Sequence, residues 1–205
     1  MSAIVKFEEI KGDLSVLLKS GDLPKHIKTE EQVYLIQKMG AELGFSLMQS
    51  IHFIIPIQGR LTLATKALGA LLRKGGVKFT TLEDAVWIYN DGTTKPVHFG
   101  DQKPIDRRTT IRFERGDQIE ETFFLWSDAT TQGLIGKDNW KRMPREMLYA
   151  RCLTKGANRI GQDLTMGLYS TDEMVDAIGD EKKVIRGEEG FVESVIDDVP
   201  YENVK

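Results

Sequence analysis

Cysteine is almost missing from this chain: Cys152 is the single one in 205 residues. A lone thiol makes no intrachain disulfide and no thiolate metal cage, and the three histidines show no ligand spacing, so neither sulfur nor zinc staples the fold. Cys152 itself reads as helix packing rather than as a nucleophile. Long hydrophobic runs are missing too. The longest, Phe53 to Ile57, falls far short of a membrane span, and Lys6, Glu8 and Glu9 interrupt any signal-peptide core, so the expectation is a cytoplasmic protein with no membrane partner. No Walker-type loop is present, because Gly156 or Gly75-Gly76 alone cradle no phosphate, which argues against ATP as a cofactor. Internal repeats and low-complexity tracts are also absent. At 40% hydrophobic and 29% charged, the composition is that of an ordinary globular chain with enough apolar residues for one core and a tail.

Net charge is only -3, but it is unevenly spread. From Thr171 to Lys205 there are 11 acids and 4 bases, net -7, which leaves 24 bases against 20 acids, net +4, in residues 1 to 170. Within that body Gln58 to Arg115 carries 11 bases and 6 acids, net +5, whereas Gly116 to Gly136 has four acids and no base. Any anion-binding surface is therefore local, and the acidic end masks it in the total.

Periodicity divides the chain into short elements. Val33, Ile36, Met39 and Leu43 have helical spacing over 30–43 with Gly44 behind them, and Ser46 is placed to cap a short helix through Ser50. Phe53 to Ile57 reads as a strand, Gln58-Gly59-Arg60 as a turn, and 62–74 as a helix burying Leu63, Ala67, Leu68 and Leu71. Gly69 inside that helix suggests close approach of another backbone, or loose packing. Beyond Gly75-Gly76 the segments 85–89, 109–114 and 119–126 are rich in β-branched and aromatic residues, and Arg115-Gly116-Asp117 turns the last two into a hairpin. The connection 92–108 reads as mobile. Ser127 is a candidate cap for a helix over 128–132, and a last short helix is expected over 172–178. This predicts an oligomer-forming α+β fold: antiparallel hairpins packed with one long amphipathic helix and several shorter ones. The core is expected over 1–178, with a helical part in 1–52, and an acidic flexible tail over 179–205.

The long helix is expected from Pro144 to Ile160, with proline in the first turn and Glu146 near the positive end of the helix dipole. Tyr149, Ala150, Leu153, Ala157 and Ile160 form its buried stripe, and Arg151, Lys155 and Arg159 recur every four residues opposite. Like charges at that spacing repel by a few tenths of a kcal/mol per pair, so the stripe helps an isolated domain little and suits an anionic partner. Lys137, Lys141, Arg142 and Arg145 lie just upstream, giving 137–160 seven bases against two acids, net +5. A solvated charged face is the plain alternative.

Three blocks in order carry a resemblance: ELGFSLMQSIHFIIPIQGRLTLATKALGALLRKGG from Glu42 to Gly76, FFLWSDATTQGL from Phe123 to Leu134, and the stretch from Asn139 to Met174 containing NW, PREML and GLYSTDEM. Together they resemble the RecT/Redβ-type phage single-strand annealing proteins, particularly RecT-like members of prophages, with Arg60 where lysine is usual. The resemblance implies binding of single-stranded DNA and of the annealed duplex intermediate, in phage recombination, without ATP and without covalent chemistry, with Mg2+ at most a modulator of DNA binding. It implies a homo-oligomer, ring or helical filament, and as further partners a phage exonuclease and a host single-strand-binding protein. On that reading the DNA-contacting residues are Arg151, Lys155 and Arg159 on the long helix, Lys137, Lys141 and Arg142 before it, Lys66 and Arg73 on the earlier helix, Arg107, Arg108 and Arg112 on the sheet, and Arg60 at the turn. Trp140 is the candidate for stacking on bases, whereas Tyr149, Trp87 and Trp126 read as core. Leu14, Val16, Leu17 and Leu18 are candidates for a subunit interface or for packing on their own core, and the acidic tail for a brake on the basic groove.

Two other classes fit the composition. A metal-dependent nuclease would draw on Asp84, Asp91, His98, Asp101, Asp106 and Glu114, and a phage structural or regulatory module would use the basic face for a protein.

Overall fold

A computed structural model describes residues 7–21, 23–24, 27–98, 103–178, 183–186 and 192–196. The elements run α1 (Phe7–Ser20), α2 (Glu30–Glu42), α3 (Leu47–Phe53), β1 (Ile54–Ile57), β2 (Arg60–Leu63), α4 (Thr65–Lys74), β3 (Lys78–Ile88), β4 (Thr94–Lys95), β5 (Asp106–Arg115), β6 (Gln118–Leu125), α5 (Trp126–Thr131), α6 (Asp138–Arg142), α7 (Pro144–Ile160), α8 (Thr171–Ile178), β7 (Lys183–Arg186) and β8 (Val192–Ile196). The architecture is α+β with antiparallel sheets. The chain divides into two compact units, Met1–Ala67 with Leu168–Lys205, and Leu68–Gly167, a division that falls elsewhere than the boundary at residue 178 suggested by composition.

In the first unit, short polar motifs fix the helix starts. Thr29 accepts from the Gln32 backbone N–H at 3.3 Å while the Gln32 side chain accepts from the Thr29 N–H, and Ser46 and Gln49 repeat the arrangement at α3. The helices α2 and α3 meet where Gly40 faces Ser50. Gln58 and Gly59 both take positive φ, 50° and 73°, the geometry of a two-residue turn whose twist matches the strands it joins. The strand leaving this turn takes residues 60–63, so Thr62 and Leu63 belong to β2 and not to the helix expected over 62–74. Cross-strand bonding decides it: the Thr62 hydroxyl donates to the Ile55 carbonyl at 2.6 Å. Ile55, Ile57 and Ala64 pack with Met174 and Val175 of α8. Within the expected acidic tail, β7 and β8 pair antiparallel; the rest of 179–205 lies outside the described residues.

The second unit is a four-stranded sheet in the order β4-β3-β5-β6. The strand β3 is longer than the 85–89 expected, because its first half, LysPheThrThrLeuGluAsp, is too polar to announce itself, and its pairing with β5 shifts register twice between Thr81 and Val86. Part of the 92–108 connection is ordered as β4 against Trp87 and Ile88. On β5 the period is two: Thr109, Ile111 and Phe113 are buried under α7, and Arg108, Thr110 and Arg112 alternate with them. Each fully buried Ile or Phe there stabilises the fold by about 1.5–3 kcal/mol. The Thr122 hydroxyl donates to the Cys152 carbonyl at 3.1 Å and the Cys152 thiol to the Thr122 carbonyl at 3.2 Å, pinning α7 to β6. The Cys152 thiol is pushed above its ordinary range by burial, against the opposing hydrogen bond from Thr122.

Three local expectations are corrected here. Ser127 is not a helix cap: its N–H and hydroxyl bond Asp106, and Asp128 closes the start of α5 by accepting from the Leu125 N–H at 3.1 Å. Gly69 is approached by no backbone; a β-carbon there would touch the Phe79 ring at 3.5 Å, ordinary contact. And α6, five residues long, precedes α7 where a loop was expected.

Candidate nucleic-acid interface

The helix α7 begins at Pro144 as the sequence indicates, but its basic stripe is not on the side away from the sheet. The Lys155 ammonium donates to the Phe123 carbonyl of β6 at 3.1 Å and sits 5.0 Å from the centre of the Phe123 ring, and one turn on Arg159 pairs with Glu120. At the start of the helix Arg145 pairs with Asp84, with an Nε to carboxylate distance of 2.9 Å, and this contact raises the arginine above its ordinary range. The stripe therefore does help the isolated unit: two of its cations, Lys155 and Arg159, tie α7 to β6, and Arg145 upstream of it ties the helix to β3.

Alternation along β5 separates candidates that the sequence grouped as one wall. Arg107 shares the α7 side of the sheet, where its Nε donates to the Ala85 carbonyl at 2.9 Å and its guanidinium lies 4.9 Å from the Trp87 ring centre. Burial lowers it from its ordinary value, as does the neighbouring Arg145 charge, against Asp84 and Glu146. Arg108 and Arg112 are on the opposite side and engaged by acids. Arg108 makes a two-pronged pair with Glu83 at 2.7 and 2.8 Å, which holds Glu83 below the usual carboxylate range, and Arg112 Nε lies 3.1 Å from Glu114 and 3.9 Å from Glu121. One wall formed by all three arginines is excluded, because successive residues of a strand point to opposite faces.

The remaining candidates scatter. Arg60 and Lys66 are exposed and belong to the first unit. Arg73 is exposed on the second-unit half of α4 with its guanidinium 4.3 Å from the Phe79 ring centre. Lys141 is exposed, Arg142 is exposed beside Asp138 at 3.4 Å, Arg151 is half-buried and Lys137 is buried. Trp140 is not available for base stacking: it is 0% exposed, 5.9 Å from Trp126 and 6.2 Å from Phe124 between ring centres, and its indole N–H has no hydrogen-bond partner among the described residues. Tyr149 is half-buried, its phenol raised by burial and opposed by the charge of Arg73.

The sequence reading missed a pattern in the second unit. Four cations lie over aromatic rings: Arg73 over Phe79, Arg107 over Trp87, Lys155 over Phe123, and Lys95 over Tyr89 at 4.9 Å. None of the four has an ion-paired acid among the described residues. Trp87 is half-buried rather than core, and the available signal was its spacing from Tyr89, which puts both on one side of the strand.

Comparison with protein-family models, with characterised proteins and with solved structures found no match.

Among the described residues the carboxylates that a metal-dependent nuclease would draw on each have a separate partner. Asp84 is held by Arg145, Asp91 by Thr93, Asp106 by Ser127 and Glu114 by Arg112; His98 bonds Tyr89, and Asp101 lies outside the described residues. Among the described residues no group of three or more His, Cys, Asp or Glu is placed to hold a metal ion, and no helix is long and apolar enough to cross a membrane.

Proposed function

We propose that the protein binds single-stranded DNA and anneals complementary strands without ATP, as the RecT/Redβ resemblance implies. The observation that carries this reading is the set of four cation–aromatic pairs in the Leu68–Gly167 unit whose cations have no ion-paired acid among the described residues. Single-strand binders combine positive charge along the backbone with aromatic faces for bases, and a cation resting on a ring meets a phosphate without first giving up a carboxylate. Arg73, Arg107, Lys155 and Lys95 accordingly rank ahead of Arg108, Arg112, Arg142 and Arg159, whose acids a phosphate must displace. Annealing itself is electrostatic: two strands repel through their phosphates, and cations from several subunits neutralise that repulsion while bases stay free to pair. A ring or filament of identical subunits in the bacterial cytoplasm, with Mg2+ modulating affinity and an exonuclease or host single-strand-binding protein as partner, belongs to the same proposal.

The test is to add two complementary oligonucleotides in succession to the protein without nucleotide, following duplex formation against a protein-free control and strand length on a denaturing gel. Faster pairing with intact strands is the expected result. No acceleration with folded protein overturns it, and shortened strands in a divalent-dependent reaction would establish a nuclease instead.

A further inference from the structure

The end of the sheet beside β4 carries an aromatic stack that the charge pattern of the sequence does not announce. Trp87 is the register partner of Lys95 on one side and of Arg107 on the other, so the three share one face across three strands. Two residues on, Tyr89 is almost completely buried, and the His98 ring lies at its hydroxyl end, 6.2 Å between ring centres and 28° from parallel. The Tyr89 hydroxyl and His98 Nδ1 are 3.0 Å apart, a bond that fixes the imidazole plane. Trp87 closes a second side, 6.1 Å from His98 at 58°. The outer residue of this stack, His98, is exposed.

A histidine held on two aromatic neighbours by a directed hydrogen bond is pre-ordered, so a planar ligand stacking on it loses little side-chain freedom on binding. The flanking charge is positive on both sides: Lys95 is 4.9 Å from the Tyr89 ring centre and Arg107 4.9 Å from that of Trp87. A flat ring to be stacked, with anions to either side of it, describes an unpaired nucleotide within a strand. We propose that His98, backed by Tyr89 and Trp87, is a stacking site for one unpaired base of single-stranded DNA, with Lys95 and Arg107 receiving the adjacent phosphates. The proposal rests on the single-strand-binding reading above and adds its base-contacting residue.

The discriminating experiment uses the full chain and two fluorescent probes of equal length, oligodeoxythymidine and an abasic deoxyribose-phosphate strand, read by anisotropy. His98→Ala is expected to lose about tenfold in affinity for oligodeoxythymidine and nothing for the abasic strand, while His98→Phe, which keeps a ring but not the bond to Tyr89, loses less than His98→Ala on oligodeoxythymidine and nothing on the abasic strand. Circular dichroism and the thermal midpoint confirm that each variant is folded; if His98→Ala is not, His98→Lys, which keeps a long side chain without a ring, is read in its place with the same expected loss. Equal losses on both probes, or no loss on oligodeoxythymidine, overturn the stacking site and leave strand binding intact. Failure of the wild-type protein to bind either probe overturns the strand-binding reading itself, and this inference with it.

Discussion

A β-carbon built on Gly156 would lie 2.1 Å from the Phe113 ring, so α7 crosses β5 at a point where no side chain fits on the helix. Overpacking of this kind forces strand and helix apart. Gly156→Ala is expected to lower stability by about 1–3 kcal/mol despite alanine's better helix propensity, read as a drop in denaturant midpoint. Gly69→Ala, where the nearest atom is 3.5 Å away, is the matched control and should gain up to about 1 kcal/mol. A stable Gly156→Ala protein would place α7 further from the sheet than described.

Glu83 supplies a pH dependence with a definite sign. Arg108 holds its carboxyl below the ordinary range, so the pair contributes stability above the unfolded carboxylate value, about 4.3, and loses it as the pH falls through the lower folded value. At pH 7 Glu83→Gln should cost about 1 kcal/mol, a figure kept small by partial exposure. The gap between the two proteins should close on acidification. Urea melts at pH 7 and pH 3 measure both, and a gap that persists at acid pH would show that packing, not charge, is what the glutamate provides.

Salt dependence separates cations that are available from those held by acids. Each phosphate neutralised on a single strand contributes about 0.7 to the slope of log affinity against log salt. Lys155→Gln is expected to reduce the slope by about that amount, and Arg159→Gln, whose guanidinium is engaged by Glu120, by less. Equal reductions would mean that the Glu120 pair opens on binding.

Trp140 tests the difference between a core indole and a stacking one. Trp140→Phe should leave oligonucleotide affinity at its wild-type value while lowering stability by about 1–3 kcal/mol, the lost packing being partly offset by removal of an unpartnered buried N–H. Loss of affinity in a protein with an unchanged thermal midpoint would return Trp140 to the DNA surface.

Burial raises the Cys152 thiol and removes it from solvent, so the native protein should resist alkylation by iodoacetamide. Modification should appear only as denaturant unfolds the chain, detected by mass. Rapid labelling under native conditions would contradict the packing of α7 on Thr122.

What the sequence disclosed depended on whether a local rule was the deciding force. The span of α2, the start of α3 behind Ser46 and the start of α7 at Pro144 are set by residues within a few positions of each other, and they are where periodicity and local chemistry place them, whereas α3 runs on to Phe53, past the end at Ser50 that was expected. Thr62 and Leu63 were misread because hydrophobic spacing over 62–74 fits a helix, and only the cross-strand partner Ile55 makes them a strand. The first half of β3 was missed because pairing with β5, rather than its own composition, holds it extended. The candidate site follows the same division. Charge density drew attention to α7, but whether a given cation is engaged by an acid depends on Glu83, Glu120 and Asp84, which approach from elsewhere in the chain. Trp140 is fully buried and Trp87 only half-buried, the reverse of the expectation, because tryptophan in a sequence carries no sign of which neighbours will cover it.

The contact between Lys155 and the Phe123 carbonyl also bears on how the protein behaves in a crowded tube. The strand β6 has a neighbour on one side only, and an outer strand eight residues long offers its amides and carbonyls to any other extended chain. An ammonium anchored on one of those carbonyls removes an acceptor from the template and sets a charge where a foreign strand would have to lie. Lysine at position 155 is thereby placed to oppose edge-to-edge pairing, and a substitution made there to study ligand affinity is expected also to shorten the time for which a concentrated sample stays clear.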